Sequence, residues 1–309
     1  MNMQTIDKHV EAVYKIITET PALGRRNRFP DFYDLLDKVF SDRVPTTASP
    51  PWLMLPIFTC EALGGDVTLA QHVAAALEIG RIAAGCLDEW QDKDTDNALW
   101  RSVGAEQTVN LATWMIGLSF LTLTRLAKLG MPADTVLDLK QEFELSLLYM
   151  SEGQHADLSD DLSLEDYETV AGAKSGALFR LGCRAGAIVA GALEETISLY
   201  GDFGCNLGVL VQMWNDFEGL AGAKGKTDSE HRRALPVVAA GVLAQGAYDR
   251  RSAEGQAGEL YAMVRLQAYH QRVAEALDRC PAAGRLSLFV DTYSTRYLVE
   301  RASESVSQG

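Results

Sequence analysis

The feature that most restricts the fold is a long stretch rich in alanine and leucine, Thr68 to Asp92, that ends in acidic residues. Its apolar positions recur at helical spacing, so the sequence predicts one long helix packed among others. Asp88, Glu89, Asp92 and Asp94 come at its carboxyl end. Carboxylates there oppose the helix macrodipole, and a bound cation would offset that cost. The stretch therefore indicates a buried helix with a candidate cation site at its end.

The rest of the chain also follows helical periodicity, and its sequence contains no alternating pattern typical of a β-strand. The chain has 309 residues, of which 47% are hydrophobic, so it can bury a large core. The sequence predicts an all-α fold, a single large helical bundle over residues 1–302, with a disordered tail over residues 303–309. The further predicted helices are Met1–Thr20, Trp52–Leu63, Ala105–Gly130, Pro132–Glu152, Leu164–Leu193, Cys205–Leu220, Leu235–Ala244, Glu254–Arg279 and Leu286–Ala302.

Charge and composition narrow the function classes. The net charge of -14 disfavours a nucleic acid or an anionic membrane surface as partner. The first twenty residues have no apolar signal-peptide core, which predicts a cytoplasmic protein. Gln107 to Thr124 approaches the length of a membrane span, but it contains Asn110 and several hydroxyl side chains, so a buried helix without stable membrane insertion is expected. The five cysteines are scattered and form no CxxC pair, so neither a disulfide framework nor a zinc site is indicated.

The acidic residues suggest a metal site. On a helix, Asp88 and Asp92 stand one turn apart on the same face with Glu89 beside them, so their charges converge. Hard divalent ions such as Mg²⁺ take this oxygen-only ligation. A solvated acidic helix end is the alternative. A second, weaker cluster, Asn215 and Asp216, lies on another predicted helix, and two such helices facing each other would share metal ions that bridge a diphosphate.

Cations are then needed around the same diphosphate oxygens. The candidates stand near the ends of predicted elements, although each one alone is more often an ordinary surface cation: Lys174, Lys226, Arg101 and the pair Arg232 and Arg233.

The order of these motifs resembles that of the trans-isoprenyl diphosphate synthase (polyprenyl synthetase) superfamily. The first acidic motif is Asp88 to Asp92, the glutamine segment is Gly153-Gln154, and the Lys-Thr pair of the family is Lys174-Ser175. The second motif runs from Gln212 through Asn215 and Asp216 to Gly219. The resemblance spans about residues 68–236.

The resemblance implies an isoprenoid synthase fold with a central cavity for an allylic prenyl diphosphate, and a homodimer. It implies Mg²⁺ held by Asp88, Glu89, Asp92, Asn215 and Asp216. The catalytic residues would be Asp88, Asp92 and Lys174. The diphosphate would be bound by Arg101, Lys174, Gln212, Lys226, Arg232 and Arg233. The prenyl cavity would be lined by Ala83, Ala84 and Gln154.

The sequence departs from the family at three places. The second arginine of the family's Arg-Arg-Gly motif is at best Arg101, displaced by a longer connection. Asn215 and Gly219 replace the outer aspartates of the second DDxxD motif, which predicts weaker metal binding on that side. The basic GGKRxRP segment, which binds the isopentenyl acceptor in the family, is absent, and apolar residues 49–56 occupy that distance. Losing the acceptor's cationic pocket while keeping the donor motif predicts a different acceptor.

Two stretches, Asp94 to Trp100 and Gly153 to Asp157, are similar to the ComQ-type isoprenyl transferases, which prenylate a peptide tryptophan. The leading hypothesis is therefore a prenyltransferase that uses an acceptor other than isopentenyl diphosphate, such as a peptide tryptophan or a small molecule. A terpene-synthase-like cyclase or lyase, a chain-elongating synthase and a non-catalytic synthase subunit are the alternatives.

Overall fold

Helices make up the regular structure of the computed structural model, which describes residues 3–19, 23–45, 52–93, 98–159, 163–220, 233–243, 249 and 251–291. The first helices are α1 (Met3–Glu19), α2 (Pro30–Asp42), α3 (Met54–Ala62), α4 (Val67–Gln91), α5 (Leu99–Val103) and α6 (Ala105–Thr124). They are followed by α7 (Ala133–Asp157), α8 (Leu164–Ala171), α9 (Ala177–Val189), α10 (Glu194–Leu220), α11 (Leu235–Leu243), α12 (Ala253–Asp278) and α13 (residues 284–291). No strand occurs in these ranges, so the predicted all-α class is confirmed.

The acid-ended helix of the sequence is α4, and it lies in the centre of the bundle. The side chain of Asp66 starts the helix by accepting a hydrogen bond from the Thr68 amide at 2.7 Å. Its alanines, including Ala70, Ala74 and Ala75, are fully buried and let α1, α3, α6 and α9 pack closely around it. Because α4 is enclosed on most sides, its carboxyl end carries Asp92 into the interior of the bundle, where the residue is 6% exposed.

The predicted helix Leu164–Leu193 is wrong in one respect, because it is interrupted. A wide π-helical turn, Gly172–Gly176, separates α8 from α9 and carries Lys174 and Ser175. Such turns often occur at functional sites. Small residues allow α10 to lie directly against this turn, since a β-carbon on Gly208 would be 2.5 Å from the Ser175 carbonyl oxygen.

The predicted start of α10 at Cys205 is also wrong. The helix begins at Glu194, a full three turns earlier. Glycine lowers helix propensity, but Gly201 and Gly204 lie within α10 and are contact points with α9. A β-carbon on Gly204 would lie 2.5 Å from the Phe179 carbonyl oxygen of α9. These glycines therefore serve close packing between α9 and α10.

Residues 105–129 are long and apolar enough to cross a membrane by length and composition, with a mean hydropathy of 1.2. Ser119 of this segment donates a hydrogen bond to the Ala76 carbonyl of α4 at 2.7 Å, and Leu111, Ala112 and Met115 are buried. The helix thus packs along the centre of the bundle. The boundary at residue 302 stays a prediction, and the tail over 303–309 lies outside the described residues.

All five cysteines are free thiols, as their scattered spacing predicted. Burial raises the pKa of Cys60 and of Cys280 to about 12, so both remain protonated near neutral pH. They contribute to the core as small apolar side chains.

We expect Gly208→Ala to destabilise the protein, because the new β-carbon would collide with the backbone at Ser175 and at Gly176 Cα, which is 2.7 Å away. Overpacking of this kind typically lowers the free energy of unfolding by about 1–3 kcal/mol. Gly117→Ala in α6 is the matched control, because a β-carbon there meets nothing within 4 Å. It should raise the free energy of unfolding by about 0.5–1 kcal/mol. Urea unfolding followed by circular dichroism measures both, and equal effects would contradict the close approach of α10.

Candidate active site

One cavity of about 610 Å³ runs between α4, α6, α7 and α10. Its wall is apolar over most of its length and is formed by Leu77, Ile116, Phe120, Phe143, Leu147 and Leu178. Charged and amide side chains gather at the other end, where the acidic end of α4 lies. From Leu77 to Asp92 the α4 wall is about 22 Å long at the helical rise per residue. The cavity therefore joins a long apolar compartment to a charged end.

The charged end contains three carboxylates bridged by two cations. Lys174 Nζ lies 2.5 Å from Asp157 Oδ2 and 3.3 Å from Asp88 Oδ1. Arg233 Nη2 lies 3.0 Å from Asp92 Oδ1, and Nη1 lies 3.3 Å from Asp157 Oδ2. Nη1 also donates to the Asp157 main-chain carbonyl at 2.6 Å. Four regions of the chain thus meet at one cluster.

The protonation of these groups follows from burial and from their neighbours. Burial, and then the charge of Asp88, raise the pKa of Asp92, while Lys174 and Arg233 oppose that rise. Burial alone would lower the pKa of Lys174, but Asp88 and Asp157 raise it above its ordinary value, so Lys174 stays charged. The two α4 carboxylates disfavour each other, and added positive charge would stabilise both.

Asp88 and Asp92 suit a hard divalent ion. They offer oxygen donors one turn apart on one helix face, and 45% of the Asp88 side chain is accessible to solvent. The described residues contain no group of three or more His, Cys, Asp or Glu side chains arranged to hold a metal ion. A divalent ion at α4 would therefore complete its shell with water or with oxygens of an anionic ligand, as Mg²⁺ commonly does.

The predicted role of Glu89 as a metal ligand is not supported by its position. Glu89 does not line the cavity, and both of its oxygens accept hydrogen bonds from Arg43 Nη2, each at 2.9 Å. The reason is helix geometry, since consecutive residues point about 100° apart. With Asp88 directed into the cavity, Glu89 faces the end of α2 instead.

The second acidic motif does line the same cavity, through Asn215 and Asp216. Asp216 is buried and 7% exposed. Its Oδ2 accepts hydrogen bonds from the Tyr167 hydroxyl at 2.5 Å and from the Leu235 amide at 2.9 Å, and its Oδ1 accepts one from Gln212 Nε2 at 3.0 Å. Gln212 Oε1 in turn accepts from the Ser175 hydroxyl at 2.6 Å. The two acidic motifs line the same cavity, but their surroundings differ.

The predicted cavity residues are only partly at the wall. Ala84 lines the cavity, together with Gly80 one turn earlier, and leaves room between α4 and α7. Ala83 is fully buried in the hydrophobic core on the neighbouring face of α4, so its assignment to the cavity is corrected. Gln154 lines the cavity, and its amide nitrogen and oxygen are buried without a hydrogen-bond partner among the described residues. Such a side chain is poised to meet a ligand.

Arg101 does not lie at the cavity, which corrects the prediction that it binds a diphosphate. It is exposed and stacks on the ring of Trp100, with 4.6 Å between the guanidinium carbon and the ring centroid. Lys93 lies 5.0 Å from the Trp90 ring on the same surface. Of the other predicted cations, Arg233 is in the site, while Lys226 and Arg232 lie outside the described residues.

Sequence reasoning assigned no role to three residues that line the cavity. Asp157 joins both cations of the cluster, and Tyr167 holds Asp216, but long-range contacts of this kind leave no local pattern. Arg81 also lines the cavity, paired through two hydrogen bonds of 2.7 Å with Glu78. A charged pair three residues apart in an otherwise apolar helix was a signal that could have been used.

Solved structures share the fold that carries this cavity. The fold resembles the crystal structure of a decaprenyl diphosphate synthase from Rhodobacter capsulatus with a TM-score of 0.75 and 20% identity, over 96% of this chain and 97% of that one. Residues 54–243 match the polyprenyl synthetase family. The chain belongs to the polyprenyl synthetase family, which confirms the superfamily predicted from the motifs.

Two curated relatives differ in their activities. A geranylgeranyl diphosphate synthase of Sulfolobus acidocaldarius is 29% identical over 168 residues, covering 52% of this chain and 51% of the relative. The tryptophan prenyltransferase ComQ of Bacillus subtilis subsp. natto is 29% identical over 150 residues, covering 48% and 44%. The chain spans about half the length of the curated relatives it matches.

The Arg43–Glu89 pair should contribute to stability and not to metal binding. A double-mutant cycle with Arg43→Gln and Glu89→Gln should give a coupling of about 1 kcal/mol in the free energy of unfolding, because the pair is doubly bonded and partly buried. Titration with Mn²⁺ should show an unchanged dissociation constant for Glu89→Gln. A tenfold weaker affinity of this variant for Mn²⁺ would show that Glu89 is a metal ligand.

Proposed function

We propose that the protein is a Mg²⁺-dependent prenyltransferase that ionises an allylic prenyl diphosphate and transfers the prenyl group to an acceptor other than isopentenyl diphosphate. The observation that carries the proposal is the joining of the charged cluster to a cavity of about 610 Å³ with an apolar wall. The diphosphate belongs at the charged end and the prenyl chain along the apolar wall. Family membership supports this class of substrate.

Each part of the site has a task in ionisation. Mg²⁺ held by Asp88 and Asp92 would supply charge stabilisation to the diphosphate as a leaving group. Lys174 and Arg233, with the amide of Gln212, are placed to donate hydrogen bonds to diphosphate oxygens at the same end. Apolar side chains such as Phe143 and Leu147 exclude water from the carbon that becomes cationic. Gln154 offers its unpartnered amide to that compartment.

The acceptor is inferred from missing positive charge. The sequence contains no lysine or arginine from Val44 to Gly80, the region in which the family carries its basic acceptor motif. Leu53, Met54 and Leu55 of this region are buried in the core. A neutral acceptor, such as a peptide tryptophan or a small aromatic molecule, fits this environment better than a second diphosphate. The relative named ComQ is a tryptophan prenyltransferase, which supports the same direction.

Chain elongation is the second candidate, and Arg81 favours it. This guanidinium lines the cavity two turns before Asp88 and could meet an anionic acceptor. A geranylgeranyl diphosphate synthase is also among the relatives.

A homodimer and a cytoplasmic location stay predictions. Leu137, Leu145 and Leu148 support the dimer, because they lie on one face of α7 and are 55–61% exposed.

Product analysis separates the candidate functions. The purified protein is incubated with Mg²⁺ and geranyl, farnesyl or geranylgeranyl diphosphate, alone, with isopentenyl diphosphate, or with tryptophan-containing peptides and indoles. We expect metal-dependent release of diphosphate and a prenylated aromatic product, with no lengthened diphosphate. Efficient elongation would establish the second candidate. Terpenes formed without acceptor would indicate a cyclase, and no reaction under any condition would indicate a non-catalytic subunit.

Asp88→Asn and Asp92→Asn should each lower kcat for diphosphate release by about a hundredfold or more, because each removes a preorganised charge at the reacting end. Asp202→Asn is the matched control, since this carboxylate of α10 pairs with Arg180 on the surface at 3.5 Å. Its kcat should equal that of the unaltered protein. Mild and equal effects of all three changes would contradict the proposed site.

A further inference from the structure

Asp216 is held by donors from three separate elements. Tyr167 of α8, Gln212 of α10 and the Leu235 amide of α11 all donate to its two oxygens, at 2.5–3.0 Å. Burial, and then Asp216 itself, raise the pKa of Tyr167 well above its usual range, so the phenol remains a donor. The carboxylate is thus committed to hydrogen bonds within the fold.

The bond to Leu235 gives Asp216 a structural task. Leu235 begins α11, and the first amides of a helix have no partner within the helix. A carboxylate at this position satisfies one of them and is also favoured by the helix macrodipole. Asp216 therefore fixes the start of α11 against α10.

Arg233 stands two residues before Leu235 and benefits from this anchoring. With the start of α11 fixed, its guanidinium spans Asp92 and Asp157 with one terminal nitrogen toward each, at 3.0 and 3.3 Å. It is 13% exposed, so its position is set by packing and by these ion pairs. The Asp216 bond thus controls where a permanent positive charge meets the α4 carboxylates.

A divalent ion on the α10 side would have to share Oδ1 of Asp216 with Gln212 or displace a donor from Oδ2. Asn215 is neutral, and at Oδ2 Asp216 would give up a buried phenol or a helix amide as partner. Leaving such a group unpaired costs about 1–3 kcal/mol. A guanidinium already supplies charge at the same place and binds phosphate oxygens in two-point fashion.

We propose that the second acidic motif of this chain holds Arg233 instead of a divalent ion. Asp216 anchors the segment 233–235, and the Arg233 guanidinium supplies beside Asp92 and Asp157 the positive charge that a metal ion on the α10 side would bring. The inference rests on the proposed function, in which the α4 carboxylates bind Mg²⁺. It follows that divalent ions bind on the α4 side alone, and that Arg233 opposes their binding at Asp92.

Calorimetric titration of the full chain with Mn²⁺, without and with inorganic pyrophosphate, tests this. Arg233→Gln should tighten Mn²⁺ binding about fivefold without pyrophosphate, because a positive charge beside Asp92 is removed. It should weaken pyrophosphate binding about tenfold or more in the presence of Mn²⁺. Arg180→Gln makes the same charge change on the surface of α9 and should alter neither value.

Two variants test the role of Asp216. Asp216→Asn and Tyr167→Phe should both lower the midpoint of thermal unfolding and leave the number of bound Mn²⁺ ions unchanged. If Asp216→Asn removes one bound ion, or weakens Mn²⁺ binding tenfold while Tyr167→Phe does not, the α10 side is a metal site and the inference is wrong. Should Asp216→Asn fail to fold, the Arg233→Gln titration decides, since unchanged or weaker Mn²⁺ binding there overturns the inference equally.

The variant Asp88→Asn distinguishes failure of the inference about Asp216 and Arg233 from failure of the proposed function. Loss of Mn²⁺ binding in Asp88→Asn supports the α4 metal site, whatever the other variants do. Unchanged Mn²⁺ binding in Asp88→Asn would remove the basis of the proposed function and of the inference together.

Discussion

The ion pairs among Asp88, Asp92, Asp157, Lys174 and Arg233 are the interaction on which the site depends. They join α4, α7, the π-helical turn and the segment before α11, which are far apart in the chain. Partly buried ion pairs add little net stability, yet removing one partner leaves an uncompensated charge. The bundle already has a large apolar core, so ligand binding explains this cluster better than a contribution to stability does. The cations that neutralise the carboxylates in the fold are the ones placed to meet a diphosphate.

The bounds of some helices were predicted accurately from the sequence and those of others were not, for physical reasons. The predicted helix Thr68–Asp92 corresponds to Val67–Gln91, because an apolar stretch with an aspartate cap has clear ends. The π-helical turn and the long α10 were missed, since glycine lowers helix propensity in any local reading. In the structure Gly204 and Gly208 are required by contacts with Phe179 and Ser175, which lie far away in sequence. Close approach between helices overrides propensity here.

Motif matching pointed to residues around the cavity but could not orient every side chain. Asp88 and Asp92 are one turn apart, so helix geometry alone places both in the cavity. Glu89 and Ala83 matched by position in a motif, yet each points to a neighbouring face, toward Arg43 and toward the core. Asp157 and Tyr167 act through contacts with residues seventeen to seventy-six positions away, which one sequence does not display.

Charge balance along the cavity also bears on the acceptor. Among the described residues, Arg81 is the cation on the apolar part of the wall. Glu78, which is 2% exposed, neutralises it through two hydrogen bonds and also accepts one from Tyr14 at 2.8 Å. An anionic acceptor at this wall would meet a pair without net charge and would lose its own hydration, which is costly for an ion in an apolar site. A neutral aromatic acceptor carries no such cost and gains from apolar contact. The placement of charge therefore supports the proposed division between a donor end that would bind an anion and a wall that would favour a neutral acceptor.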